Sequence, residues 1–264
     1  MPAIARAAAL RVLASVREGR ADLAAALERE RRRLPDSRDR ALASEIAIGT
    51  LRWRAALDHA IAFAGNRDAD RFDPAVLDVL RSGAFQLLHL DRVPAAAAVD
   101  DAVDLCRTAG HARAAGAVNA ILRRISRERG RLPMPGPDNP LAHLSITWSH
   151  PRWLAARWLS RLGFDTALAW VRFNNGHAPV TLRANTIVST REACAAALVS
   201  AGVTVRPCRF APDGLVVQAG NPLTGPVAGS GLFLPQDEAS QLVGSFAAPA
   251  PGERVDDRLT KWGD

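Results

Sequence analysis

DRALASEIAIGTLRWRAALDHAIAF, residues 39–63, is the stretch on which the reading of the fold turns. Leu42, Ile46, Gly49 and Trp53 recur every three or four residues and lay one apolar stripe along a helix. Gly49 lies inside that stripe. A glycine there costs about 1 kcal/mol relative to alanine, so the position predicts a neighbouring helix in close approach. A helix shaped for a close neighbour belongs in a bundle.

The flanking sequence supplies the partners. Residues 3–18 and 22–34 read as two amphipathic helices, the second ending in the basic run 29–33. DPAVLDVLRSGAFQLLHL starts a further helix, with Asp73 as N-cap, Pro74 in the first turn and Leu77, Leu80, Ala84, Leu87 and Leu88 as the core face. VPAAAAVDDAVDLCRTAG begins at Pro94 and turns Val99, Val103 and Cys106 inward. HARAAGAVNAILRRISRERG buries Val118, Ile121, Leu122 and Ile125. Its other face carries Asn119 and Arg123 one turn apart, beside Arg124 and Arg127. The economical architecture for the first half is an all-α bundle of about six helices.

Composition bounds the function. Of 264 residues 48% are hydrophobic, and no apolar run approaches the roughly 20 residues of a membrane helix. The N-terminal MPAIARAAALRVLASVREG has helical apolar spacing with acids soon after, which fits an amphipathic helix better than a targeting peptide. The protein is therefore expected to be cytoplasmic. Cys106, Cys194 and Cys208 are odd in number and lack CxxC spacing, so they read as small core residues, neither a disulfide framework nor a zinc site. The histidines form no metal-binding pattern, and Asp100, Asp101 and Asp104 read as an exposed acidic face. The net charge of +7 is uneven: residues 1–135 carry 23 arginines against 17 acids, and residues 136–264 carry 11 basic residues against 10 acidic ones. Arginine in excess on a helical domain favours phosphate partners, because its fork matches phosphate oxygens and releases counterions.

Three strings in the first half, D-R-A-L-A-S-E-I-A-I-G-T-L-R, R-V-P-x-x-A-A-V-x-x-A-V and A-V-N-A-I-L-R, resemble the NusB family of helical RNA-binding domains. That resemblance implies an RNA partner and a possible protein partner. RNA-contact candidates in this half are Arg52, Asn119, Arg123 and Arg124. Asn119 also reads as a group bonding a helix end, and the three arginines as solvated surface.

The second half changes character. Residues 130–140, GRLPMPGPDNP, hold four prolines and two glycines, the composition of a linker or strap. Two helices follow, from about Pro151 and over DTALAWVRFNN. PVTLRANTI then alternates as a strand, REACAAALVSAG is a helix ended by Gly202, and VTVRPC, GLVVQ and SGLFLPQ are further strands. Strand–helix–strand with added strands reads as a small α+β unit of ferredoxin or RNA-recognition type. The unit lacks the aromatic signature of RNA-recognition motifs. The chain has no tyrosine, so base stacking would fall to Phe, Trp, His or Arg. Arg183 and Asn185 are the RNA-backbone candidates here; strand-surface and turn chemistry is their ordinary alternative. In QDEASQLVGSFAA, Asp237 reads as the cap of a helix whose apolar face is Leu242, Val243 and Phe246.

With H-P-x-W-L at residues 150–154 and L-R-A-N-T at residues 182–186, the whole chain is similar to the Sun/Fmu family of rRNA cytosine-C5 methyltransferases. The resemblance implies a NusB-like domain over 1–130, a Pro/Gly-rich linker over 131–147, a small α/β RNA-docking domain over 148–235, and the start of a Rossmann-like methyltransferase domain over 236–264. In that family P-G-E-R-V leads into a strand, a cofactor loop for S-adenosylmethionine and, further on, two catalytic cysteines. Here Val255 is followed by DDRLTKWGD, with the chain's single lysine, Lys261, against 33 arginines. The expectation is therefore a truncated, RNA-binding fragment of a 16S-type rRNA methyltransferase homologue. It carries no catalytic, cofactor or metal residues of its own and is inactive alone. A NusB-type antitermination module and an inert product of gene decay are the competing readings. Residues beyond about Pro235 are expected to fray, to dock on the small domain or to pair with another chain.

Overall fold

The computed structural model describes residues 3–248, 250 and 252–253, which form two compact units dividing between Gly176 and His177. The expected strand at PGERV and the closing DDRLTKWGD lie on residues 251–264, almost wholly outside the described residues.

In the first unit α1 (Ile4–Arg17), α2 (Leu23–Arg33), α3 (Ser37–Arg52), α4 (Arg54–Gly65), α5 (Pro74–His89), α6 (Ala95–Thr108) and α7 (Ala115–Arg127) form the helical bundle. Side-chain caps start three of them. Asp22 accepts from Ala25, Asp36 from Arg38, and Asp73 from Ala75 and Val76 ahead of Pro74. The 39–63 stretch breaks at Trp53, whose backbone (φ −95, ψ 16) separates α3 from α4. Its ring stacks on His89 at 4.5 Å. Gly49 is where close approach was expected: a Cβ added there would lie 1.9 Å from Cζ of Phe85 on α5.

The middle of the bundle is α5, buried continuously from Val76 to Leu87. A helix covered on every side must satisfy its polar groups internally. Arg81 donates to both oxygens of Asp58 at 2.6 and 2.8 Å, and Asp78 accepts from Arg17 at 2.8 Å. Gln86 accepts from Arg6, which also donates to Asp101. Asp101 is thus drawn in, while Asp100 stays exposed and Asp104 is half-buried beside Arg107, and Asp101 ties α6 to α1. The basic run on α2 is partly neutralised within its own surroundings, Arg32 by Glu28 and Arg33 by Glu30.

His89 supplies a pH test. Burial, and secondarily the charge of Arg129, push its pKa down to about 4. The folded state therefore prefers the neutral ring. The stability contribution is complete above the unfolded value near 6.5 and is lost as pH falls towards 4. Full linkage over that window would be about 3 kcal/mol; part of His89 is open to solvent, which screens it to about 1 kcal/mol. Urea melts at pH 7.5 and 4.5 should show that extra loss in the wild type and not in His89→Gln.

The Pro/Gly segment is a strap laid along the first unit. The Pro133 carbonyl oxygen lies 3.0 Å from His59 Nε2, and the Pro135 carbonyl accepts from Thr147 at 2.7 Å. A one-turn helix α8 (Pro140–Ala142) and a π turn (His143–Thr147) lead to α9 (Arg152–Asn175). Gly163, at φ 73, is non-helical within α9. The two halves meet there and share a core of Leu144, Ala155, Ala167 and Val171. By its contacts α9 lies in the first compact unit.

The second unit is a four-stranded antiparallel sheet of order β2-β3-β1-β4, made of β1 (Thr181–Ala184), β2 (Thr204–Pro207), β3 (Gly214–Ala219) and β4 (Phe233–Pro235). α10 (Arg191–Ser200) covers Leu182, Ala184 and Leu215 through Cys194 and Leu198. Residues 220–232 join β3 to β4 without a helix; Gly220, Gly225, Gly229 and Gly231 all have positive φ, which suits turns and not a helix. α11 (Glu238–Ala247) docks on this sheet. The side chain of Asp237 makes no cap. Glu238 instead accepts from the amides of Phe210 and Ala211, which hold its carboxyl below the usual range. Buried Gln241 donates to the carbonyls of Leu182 and Gln236. Of the three residues on the expected apolar face, Leu242 packs against Cys208, Ala211 and Val216, whereas Val243 and Phe246 are exposed. Among the described residues no helix is long and apolar enough to cross a membrane.

Candidate nucleic-acid interface

α7 divides its residues by helical period. Val118, Ile121, Leu122 and Ile125 enter the core, which leaves Asn119, Arg123 and Arg127 on the outer side. Arg123 Nε donates to Asn119 Oδ1 at 2.8 Å, and this bond holds the guanidinium along the helix. Arg123 and Arg127 reach the first turn of α6, where with Ala95, Ala96, Val99 and Ser126 they line a cavity of about 270 Å³. Pro94, the N-cap of α6, gives that turn no side-chain cap. Two guanidinium groups beside such a helix start offer a phosphate hydrogen bonds and favourable charge together.

Arg124 is engaged elsewhere. It donates to the Ala64 carbonyl at 3.3 Å and to Glu128 at 3.2 Å, and its guanidinium lies over the Phe63 ring at 4.5 Å. It fastens α7 to the end of α4. Arg52 is half-buried at the end of α3, and Arg54, two residues on, takes the exposed position. Arg54, Asp58, Ser149, His150 and Arg152 line a second cavity of about 510 Å³. There the Ser149 hydroxyl accepts from the Ala55 amide at 2.9 Å, close to the start of α4. His150 Nδ1 faces the Trp148 carbonyl at 2.6 Å, so this nitrogen carries the proton and Nε2 is left as an acceptor. Burial lowers the pKa of His150 and favours that neutral form.

In the second unit Arg183 is exposed on β1, in register with Gly214 and Leu234. Asn185 holds a turn instead: its Nδ2 donates to the Gly231 carbonyl at 2.9 Å, and its Oδ1 accepts from the Ile187 amide. The structure therefore joins Asn119 to Arg123, gives Arg124 and Asn185 bonds within the fold, and leaves Arg183 exposed. Sequence reasoning did not select Arg54, Arg127, His150 or Arg152 as site residues. The H-P-R-W string was the available signal for the last two.

The three cysteines sit where the sequence placed them, as small core residues. Cys106, Cys194 and Cys208 are buried and free, and burial pushes each thiol up in pKa, away from the reactive thiolate. Among the described residues no group of three or more His, Cys, Asp or Glu is placed to hold a metal ion.

Comparison with known proteins gives this architecture relatives. Residues 3–127 match the NusB family, and residues 150–224 match the ferredoxin-like domain described as Methyltr_RsmF/B-like. The chain is 34% identical over 251 residues to ribosomal RNA small subunit methyltransferase B of Pseudomonas putida, covering 95% of this chain and 56% of that protein. It is 30% identical over 222 residues to a Bacillus subtilis protein named probable ribosomal RNA small subunit methyltransferase B, covering 82% of this chain and 48% of that one. The solved structure of a protein designated PH0851 shares the fold, with a TM-score of 0.68 at 20% identity over 96% of this chain and 57% of that one. The chain spans about half the length of the curated relatives it matches.

Proposed function

We propose, for a chain that belongs to the Sun/Fmu family through its NusB domain and its RsmF/B-like ferredoxin-like domain, that its two units dock RNA for a small-subunit rRNA (cytosine-C5) methyltransferase. The observation that carries this reading is the slot formed by Arg123 and Arg127 at the start of α6. Phosphate contacts of this kind fix position on RNA without reading sequence. Arg183 on the sheet is the corresponding candidate in the second unit. Binding should therefore depend on salt and little on base identity, as expected of a platform that delivers RNA to chemistry performed elsewhere. The methyl-transfer step and its donor, S-adenosylmethionine, are ascribed to no described residue.

Replacing Arg123, Arg127 or Arg183 by alanine should weaken RNA binding uniformly across sequences. Each replacement should also reduce the slope of log affinity against log salt by about 1 for every phosphate that is no longer held. Fluorescence anisotropy with a small-subunit rRNA fragment over a salt series reads both quantities. Unchanged affinity and slope in all three variants would remove the proposed face. The NusB match alone would also suit a transcription-regulating module, but the RsmF/B-like domain favours rRNA. Pull-down of elongation proteins without rRNA would reverse that preference.

A further inference from the structure

A row of rings runs from His150 along α9, and its outer members lie beyond the core. The His150 and Trp158 rings are 5.5 Å apart, Trp158 and Trp170 6.5 Å, and Trp170 and Phe173 6.2 Å. The row starts at the lining of the larger cavity and crosses from one half of α9 to the other. Trp158 packs against the core of Leu144, Ala155, Ala167 and Val171, and Trp170 and Phe173 do not belong to that cluster. The outer rings stand in water: Trp170 is 47% and Phe173 76% exposed. Trp170 and Phe173 lie one helical turn apart, so both rings serve one surface.

Charge indicates what covers that surface. α9 carries Arg152, Arg157, Arg161 and Arg172 against a single acid, Asp165. Arg152, Arg157, Arg161 and Arg172 are all exposed. A face meant for an apolar helix or for a second copy of this chain gains nothing from concentrated positive charge. Exposed rings and exposed arginines on one helix, Arg172 lying over the Trp148 ring at 5.2 Å, suit a polyanion whose own flat groups stack, and stacking on Trp or Phe tolerates any base.

The geometry points to Trp170 and Phe173 as a stacking platform for unpaired RNA bases, with the α9 arginines holding the backbone that carries them. This inference rests on the RNA reading above and adds the preferred class of RNA, single-stranded rather than duplex. Duplex RNA keeps its bases stacked inside and presents mainly phosphate and ribose, so it would use the arginines and not the rings.

The test uses the intact chain with two fluorescein-labelled probes, a short oligouridylate and a blunt RNA duplex. Trp170→Ala and Phe173→Ala should each weaken oligouridylate binding by about fivefold or more while leaving duplex binding unchanged. Trp170→Phe, which keeps a ring, should restore most of the loss. Circular dichroism should show all three variants folded, because the side chains lie outside the core. If the wild type binds both probes and the alanine variants bind oligouridylate as well as it does, the platform is refuted and the RNA reading stands. If the wild type binds neither probe, both fail. If the alanine variants break a dimer in sedimentation runs with RNA affinity unchanged, the face serves self-association and the inference is wrong.

Discussion

Arg81→Met should lower the unfolding free energy by about 3 kcal/mol, measured by urea denaturation at pH 7.5. Arg81 is buried at the centre of α5 and grips both carboxylate oxygens of Asp58 on α4. It also lies 3.7 Å from Asp78, which is itself held by Arg17 of α1. One guanidinium thus neutralises two carboxylates at the junction of three helices. Methionine fills much of the volume but donates no hydrogen bond, so Asp58 and Asp78 keep their desolvation penalty with less compensation. Arg17 remains on Asp78 and Asp58 is partly open to solvent, which sets the figure at the low end of the range for broken buried pairs. The double variant Asp58→Asn with Arg81→Met should recover part of the loss, because no unmatched charge then remains at that position. If the double variant loses as much as the sum of the single ones, the pair is not coupled and the account fails.

The substitution also reaches the candidate interface. Arg54 now stands 4.0 Å from Asp58 and is largely exposed. Once Arg81 no longer claims Asp58, Arg54 is the nearest cation able to replace it. Drawing Arg54 inward would withdraw one positive group from the larger cavity. Arg81→Met should therefore weaken RNA binding modestly even under conditions where the protein remains folded. Arg81 is too buried to touch RNA, so any such loss would act through Arg54.

The bundle was legible in the sequence because its helices carry clean stripes, and Leu80, Val118 and Ile125 went where the period sent them. The reading of α5 was incomplete for the same reason. Periodicity finds the apolar face of a helix packed on one side, and α5 is packed on all sides, so Asp78, Arg81 and Gln86 are buried although the pattern leaves them outside. Their partners, Arg17, Asp58 and Arg6, come from other helices, a pairing that no local pattern encodes. The juxtaposition of Asn119 and Arg123 was legible because residues i and i+4 lie one turn apart, although the bond between them was not read. Arg124 was legible only in part: Glu128, at i+4, is a local partner, while Phe63 and Ala64 lie on another helix. The small sheet showed its strands but not its missing crossover helix. There the glycines of residues 220–232 were the usable signal. α11 was expected to present Leu242, Val243 and Phe246 together, yet anchoring by Glu238 and Gln241 turns Leu242 inward and leaves the other two out.

Gly49→Ala should destabilise the protein by about 2 kcal/mol, although alanine is the better helix former by about 1 kcal/mol. The sign is decided by space. The new Cβ would lie 1.9, 2.3 and 2.5 Å from Cζ, Cε2 and Cε1 of Phe85, far inside van der Waals contact, so the ring must move by more than an ångström. Phe85 is itself buried and stacks on His89 at 5.2 Å, and His89 stacks on Trp53. Displacing the ring therefore disturbs the break between α3 and α4 as well as the core. Overpacking of this size costs about 1–3 kcal/mol or more, which exceeds the gain in propensity. Phe85→Leu alone should also destabilise, by leaving a void. Together the two substitutions should cost clearly less than their sum, since the smaller side chain vacates the space that the new methyl group needs. Thermal melts of the four proteins measure that coupling. A Gly49→Ala variant as stable as the wild type would show that α3 and α5 do not meet at this point, and the close approach on which the bundle reading began would be wrong.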